Sequence, residues 1–217
     1  MKTVYGRFLK AAVLCTVMCT TAVSTQAQND IMDNLHFNLD WQVNAPVGTD
    51  FANKISGWGM NFEANYAVTP RWVVGGFVNF HTNHRYVPTQ TMQLPGSQTE
   101  YITTDQQQSA YQLPFGVNVR YNLVSEGAGN FRPYIGVKTG AVYAKNTTYL
   151  NSEGYYDNPW GYYVSPEIGL DIHPKASGRF GFHIAGYFSY ATNRSKLFLD
   201  DDMDGRKNAG VRLGITF

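Results

Sequence analysis

From Leu35 to Asn44 the chain reads Leu-His-Phe-Asn-Leu-Asp-Trp-Gln-Val-Asn, apolar at every odd position and polar at every even one. Side chains of a β-strand point alternately to opposite faces, so ten residues of strict alternation specify a strand whose two faces meet different media. The pattern recurs around residues 55–67 (Trp58, Met60, Phe62, Ala64, Tyr66) and 72–81 (Trp72, Val74, Val78, Phe80). It returns at 109–123 (Tyr111 to Tyr121 on odd positions) and 132–144 (Ile135, Val137, Ala141, Tyr143). The last three segments are 161–173 (Tyr162, Val164, Ile168, Leu170), 179–191 (Phe180, Phe182, Ile184, Phe188) and 207–217 (Ala209 to Phe217). These eight segments predict an all-β fold, an eight-stranded antiparallel up-and-down barrel, because at that count a sheet closes around a side-chain-filled interior.

The segments between strands alternate in length. Residues 67–71, 124–131 and 174–178 are short turns, whereas 82–108, 145–160 and 192–206 are longer and polar, with 45–54 intermediate. Short turns at one end and long loops at the other are the habit of transmembrane barrels, in which the short end is periplasmic. An even strand count brings both chain ends to that side, so the loop around Pro95-Gly96 is expected outside.

Alternation alone does not say which face points outward, and a soluble barrel alternates too. The polar face here is rich in glycine (Gly57, Gly59, Gly75, Gly136, Gly140, Gly169, Gly181, Gly210 and Gly214). A solvated outer wall would carry long charged side chains, whereas a cramped lumen favours small residues. On the apolar face, Trp41, Trp58, Tyr66, Trp72, Tyr111, Tyr121, Tyr143, Tyr162 and Tyr190 lie toward strand ends, where interfacial aromatic girdles belong. The polar face is therefore expected inside and the apolar face in lipid.

Composition agrees. Aromatics make up 15% of the 217 residues and charged residues only 15%, well below the roughly 25% of a soluble domain. A formal net charge of +1 gives no reason to expect nucleic acid as a partner. Past residue 30 no apolar run approaches the roughly 20 residues of a membrane helix. At the N-terminus, Lys2, Arg7 and Lys10 precede a short apolar stretch and the small-residue site Thr25-Gln26-Ala27. Residues 1–27 thus read as a cleaved signal peptide and 28–217 as the barrel domain. Both cysteines, Cys15 and Cys19, fall within the signal, which leaves the mature chain without thiol chemistry.

The alternating C-terminal strand ending in Phe217, the opening Arg132-Pro133-Tyr134-Ile135-Gly136-Val137 and the eight alternating segments together resemble the small outer-membrane barrels of the porin-like family. The transmembrane domain of outer membrane protein A and the whole of outer membrane protein X are of this type. The resemblance implies outer-membrane location and insertion by the assembly machinery, which reads a terminal aromatic strand, with Phe217 as that signal. Outer-membrane lipid and that machinery are then the expected partners, with an unidentified ligand for the loops as a third. Fold does not fix an activity.

Candidate chemistry is sparse. Asp200 to Gly205 copies the start of a calcium loop but has Val211 where the closing glutamate belongs, and reads as a solvated acidic turn. His81 and His84 have no third ligand in sequence, and no metal or cofactor is expected. His183 and Ser189 lie six residues apart on one strand, roughly 20 Å, which is beyond the reach of a nucleophile and its base. No enzyme is therefore expected, and a lipid-modifying enzyme ranks a distant third. More telling are eight ionisable groups on the inward face: Asp40, Glu63, Arg120, Lys138, Glu167, Asp171, His183 and Arg212. Buried charges persist only when paired or solvated. Counting residues from the short-turn end sets Lys138 opposite Glu167 and Asp40 opposite Arg212. If these groups pair, they fill the lumen of a structural or surface-interaction barrel. If they are solvated, they line a narrow channel for small solutes.

Overall fold

The computed structural model describes residues 34–93, 99–125, 129–150, 153–175, 178–196 and 203–217. Two units divide the chain, Met1–Leu35 and His36–Phe217, and the barrel is built by the second. The expected signal peptide, the Pro95-Gly96 tip and Asp200 to Asp202 lie outside the described residues.

Nine strands follow in order: β1 Leu35–Val47, β2 Gly59–Ala67, β3 Trp72–Gln93, β4 Tyr101–Asn122, β5 Phe131–Leu150, β6 Glu153–Asp157, β7 Trp160–Ile172, β8 Gly181–Ser195 and β9 Met203–Thr216. Eight of them form a ring, β1-β2-β3-β4-β5-β7-β8-β9, with β9 returning to β1. All the registered pairs are antiparallel. Closure leaves the ring without a free sheet edge, the condition for backbone polar groups to lie in lipid. The seam is fastened at Phe37 and Phe217, whose amides and carbonyls bond reciprocally at 2.8 and 2.9 Å, with ring centroids 5.9 Å apart.

Polar residues face inward and apolar residues outward. Asp40 is 0% exposed between Leu39 at 40% and Trp41 at 51%. Met60, Phe62, Val78, Phe115, Val117, Ile135, Ile168, Phe182, Ile184, Val211 and Leu213 are exposed as well, an arrangement water would penalise and lipid rewards. The girdle aromatics do point outward: Trp72 meets Tyr121 at 5.0 Å near the short turns, and Tyr143 meets Trp160 at 5.3 Å near the far end. From Tyr121 to Tyr111, β4 climbs about 25 Å at about 2.5 Å of height per residue for a tilted strand, which matches the apolar band of a transmembrane barrel.

Glycine makes room where bulky inward groups cross. A Cβ on Gly169 would stand 2.5 Å from the Tyr134 ring, and one on Gly210 would stand 2.7 Å from the Tyr187 hydroxyl. Gly57 departs from the expected inward set. It lies on the outer surface beneath the Trp41 indole, whose Nε1 donates to its carbonyl at 2.6 Å.

The sequence pattern placed several boundaries too early or too late. Residues 82–108 were expected as a loop, yet β3 and β4 run on as a paired ladder to Gln93 and Tyr101. Residues 145–160 contain the rest of β5 and the added strand β6, paired from Asn146↔Asp157 to Leu150↔Glu153. In these stretches the inward face buries polar residues such as Gln106, Gln108, Asn146 and Thr148 and the outward face is no longer apolar, so the hydrophobic alternation that marks a strand in lipid disappears. At the other extreme, β2 begins at Gly59 instead of 55, although Ser56 and Asn44 already exchange bonds at 2.9 Å.

Candidate functional site

The lumen is stacked in tiers. Strand alternation delivers Glu63 from β2, Arg120 from β4, Tyr134, Gly136 and Lys138 from β5 and Glu167 from β7 to one level. Lys138 Nζ bonds Glu167 Oε2 and sits 2.8 Å from Glu63 Oε1. The Arg120 guanidinium bonds Glu63 Oε2 and approaches Glu167 at 3.6 Å. Arg212 from β9 reaches across the lumen to Glu167 Oε2 at 2.5 Å. Two arginines lie on inward tyrosines, Arg120 over Tyr134 at 4.4 Å and Arg212 over Tyr187 at 4.0 Å.

On the same level His183 from β8 joins Asp40 from β1, Nδ1 to Oδ1 at 2.6 Å, while its Nε2 meets the Tyr134 hydroxyl at 2.6 Å. Tyr134 has one hydroxyl proton, yet it also lies 3.2 Å from Glu167 Oε1. With a neutral imidazole donating to Asp40, that proton goes to Nε2 and the Glu167 contact is unserved. With an imidazolium it is free for Glu167. Asp40, His183, Tyr134 and Glu167 thus lie in one line of contacts, hydrogen-bonded throughout only with the imidazolium.

With the His183 imidazole neutral, charge within this level balances, three cations (Arg120, Lys138, Arg212) against three carboxylates (Glu63, Glu167, Asp40). Buried ions are tolerated when paired and fully hydrogen-bonded, and each carboxylate here has at least one cationic or histidine partner. Asp171 points inward nearer the short turns, in register with Arg132 and with His183. Together with His36, Asn38, Arg120 and His173 it lines a cavity of about 40 Å³, room for a few water molecules.

All eight sequence-derived charges therefore face the lumen, and Lys138 meets Glu167 by reaching two residues along, because the register sets Lys138 beside Ser165 and Gly136 beside Glu167. The Asp40–Arg212 pairing is not found. β1 and β9 align Asp40 with Gly214 and Arg212 with Gln42, an offset of two, so Asp40 turns to His183 and Arg212 to Glu167. Gln42 ties Arg212 to the tier above, accepting from its Nε at 3.0 Å and from Asn79 at 2.5 Å.

That tier is made of amides around His81, which bonds Asn79 at 3.1 Å and Gln112 at 2.9 Å. His84 points to the opposite face and bonds Ser109, so the two histidines share nothing. Among the described residues no group of three or more His, Cys, Asp or Glu is placed to hold a metal. Ser189 is bonded to the Asn208 carbonyl at 3.4 Å, away from His183. Beside the amides, Phe77, Val142, Tyr163 and Ala191 form an apolar patch inside the lumen.

At the far mouth the β1–β2 connection folds inward. Phe51 and Ala52 are buried against Ala110, and Ala52 takes a left-handed φ of 46°. Arg206, 1% exposed, donates to the Phe51 and Ala52 carbonyls at 3.3 and 3.0 Å, and Ala52 N donates to Gln108 Oε1 at 3.2 Å. Sequence reading missed Arg206, Arg132 and this lid, and weighed His81 only as a partner of His84. Arg132 lies within the expected segment 132–144 and Arg206 one residue before 207–217, and both share the inward parity of Lys138 and Arg212, so parity would have found them. No periodic signal marks Phe51.

Taken with the ring topology and inverted polarity, this defines a membrane barrel whose inward face is polar and charged. Residues 11–217 match the model of the outer membrane protein beta-barrel domain, and the chain belongs to that family and resides in the outer membrane. No curated protein matches the sequence. Among solved structures, Neisserial surface protein A is similar at 9% identity and a TM-score of 0.48, covering 84% of this chain and 96% of that one. Ail, the attachment invasion locus protein of Yersinia pestis, is 16% identical with a TM-score of 0.40, covering 84% and 96%. OprG from Pseudomonas aeruginosa is 14% identical with a TM-score of 0.43, covering 84% and 93%.

Proposed function

We propose that this outer-membrane barrel is non-conducting and non-enzymatic, an anchor that holds the long hairpins of β3–β4 and β5–β6 at the cell surface. The observation that carries this reading is the interlocked set Glu63, Arg120, Lys138, Glu167 and Arg212 in mid-barrel. A solute or ion crossing here would have to separate charges that already satisfy one another, and unpairing a buried ion costs roughly 3–5 kcal/mol. The Phe51–Ala52 lid adds a second barrier at the hairpin mouth. In this reading the short turns face the periplasm, the hairpins face outward, and the Phe217 strand is what the assembly machinery engages.

Planar-bilayer recording of the refolded protein is the test. The expected result is a flat baseline, with current steps emerging in a variant that carries Glu63→Ala and Glu167→Ala together. Regular current steps from the unmodified protein would instead identify a small-solute channel.

A further inference from the structure

Beneath the charge network the lumen opens into the cavity of about 40 Å³ at the short-turn end. Arg120 lines its inner end and is tied to Glu63. His36, Asn122 and Asp171 on its wall are only half-buried, so the cavity is reached from the short-turn mouth. At roughly 10–15 Å³ for each water centre the space takes about three water-sized atoms, enough for one compact tetrahedral oxyanion and too little for a sugar.

The wall is cationic. Arg120, Arg132 and His173 are 4%, 7% and 4% exposed, and His36 adds a second imidazole. Around the mouth Arg71, Lys175 and Arg179 are exposed, and the described residues of the three short turns include no carboxylate. A guanidinium offers N–H donors in a fork that fits the oxygens of a phosphate. Glu63 offsets the charge of Arg120 and Asp171 that of Arg132, so the imidazoles and the rim supply the excess positive potential.

Asp171 decides which anion fits. It stands on β7 in register with Arg132 on one side and His183 on the other. Its Oδ1 accepts no hydrogen bond among the described residues. An ionised carboxylate can accept a proton donor but has none to give, so it repels a fully ionised oxyanion and bonds one that still carries an O–H. Inorganic phosphate keeps a proton on oxygen at neutral pH, whereas sulfate keeps none. A buried guanidinium and two imidazoles beside one unserved carboxylate oxygen are thus matched to a protonated phosphate.

We propose that the cavity is a socket for one hydrogenphosphate ion, entered from the short-turn mouth. Arg132 and the N–H groups of His36 and His173 donate to its oxygens, and its O–H donates to Asp171 Oδ1. Arg71, Lys175 and Arg179 draw the anion to the mouth. The socket lies below the paired charges and needs neither conduction nor a particular orientation of the barrel, so a failure here leaves the preceding proposal standing.

The test is isothermal titration calorimetry of the refolded barrel in nonionic detergent near neutral pH, with inorganic phosphate and sulfate as paired ligands. Phosphate is expected to bind about tenfold more tightly than sulfate, the weight of one charged hydrogen bond. Arg132→Gln should weaken phosphate about tenfold, and Asp171→Asn should bring the two anions within about twofold of each other. Arg194→Gln at the hairpin mouth should change phosphate affinity by less than about twofold. Glycerol phosphate, which is mostly unprotonated at neutral pH, should bind more weakly than the free ion. Heat-modifiable migration verifies that each variant is folded, and the phosphate–sulfate comparison needs no variant at all. Absent phosphate binding, equal binding of sulfate or of glycerol phosphate, unchanged phosphate affinity in Arg132→Gln, unchanged selectivity in Asp171→Asn, or an equal loss in Arg194→Gln would each overturn the proposal.

Discussion

Below the Phe80–Tyr111 pair, whose ring centroids are 4.7 Å apart, every strand separates lipid from a polar lumen, and above it the same strands carry mostly polar residues on both faces. In the lower region side-chain position is dictated twice, by lipid outside and by charge pairing inside. Asp40, Lys138 and Arg212 have 0% exposure there, and the outward wall is apolar. In the upper region Tyr86, Thr91, Gln93 and Tyr101 are exposed, and what is buried is chiefly polar, as at Gln106, Gln108, Asn146 and Thr148. The ladder itself shifts register between Val87 and Gln90, with Pro88 inside the shift. A bulge and a proline are devices that blunt a free sheet edge, and β3 has such an edge above His84. The lower barrel, constrained on both faces, is therefore expected to carry most of the stability.

That contrast can be broken most severely at the seam. Phe217→Asp places a carboxylate on the lipid-facing edge and removes the ring that meets Phe37. The yield of heat-modifiable barrel in the outer membrane should fall severalfold while export continues, and an unchanged yield would separate Phe217 from assembly. Next come the lumen charges. Lys138→Ala leaves Glu63 and Glu167 short of a cation and should cost roughly 3–5 kcal/mol in urea unfolding. Arg206→Ala, which releases the Phe51 and Ala52 carbonyls, should cost about 1–3 kcal/mol as two buried acceptors lose a charged donor. Smallest is the upper sheet: Gln107→Ala or Thr103→Ala should stay within about 0.5 kcal/mol, the range of exposed positions away from special features. A loss in the upper sheet as large as that in the lumen would erase the distinction between the regions.

The same boundary explains what the sequence made legible. Leu35 to Asn44 alternates because Asp40 and Trp41 face opposite media, and the strand could be read residue by residue. Thr82 to Gln93 is polar on both faces, so nothing in its periodicity told a strand from a loop, and β6 was invisible for the same reason. The inward charges followed from parity, and Lys138 near Glu167 from counting residues up from the short-turn end, although the register sets Lys138 beside Ser165. The Asp40–Arg212 pairing failed because barrel stagger moves neighbours by two residues, and counting from strand ends does not contain that shift. Phe77 and Tyr163 sit at inward positions where alternation predicts polar residues, and they pack against each other inside the lumen. The lid followed no pattern, since Ala52 is held in place by Arg206 and Gln108 from distant strands.

The account stands on the inward charges acting as one balanced network, and a double-mutant cycle on Lys138 and Glu167 addresses that directly. Lys138→Ala and Glu167→Ala each leave the lumen with an unmatched charge, whereas the double variant restores the balance between Arg120, Arg212, Glu63 and Asp40. Urea unfolding of the four proteins should give a coupling of about 1–3 kcal/mol, with the double variant more stable than the sum of the single losses allows. Strict additivity, to within about 0.5 kcal/mol, would mean that each charge is solvated on its own and that no network fills the barrel.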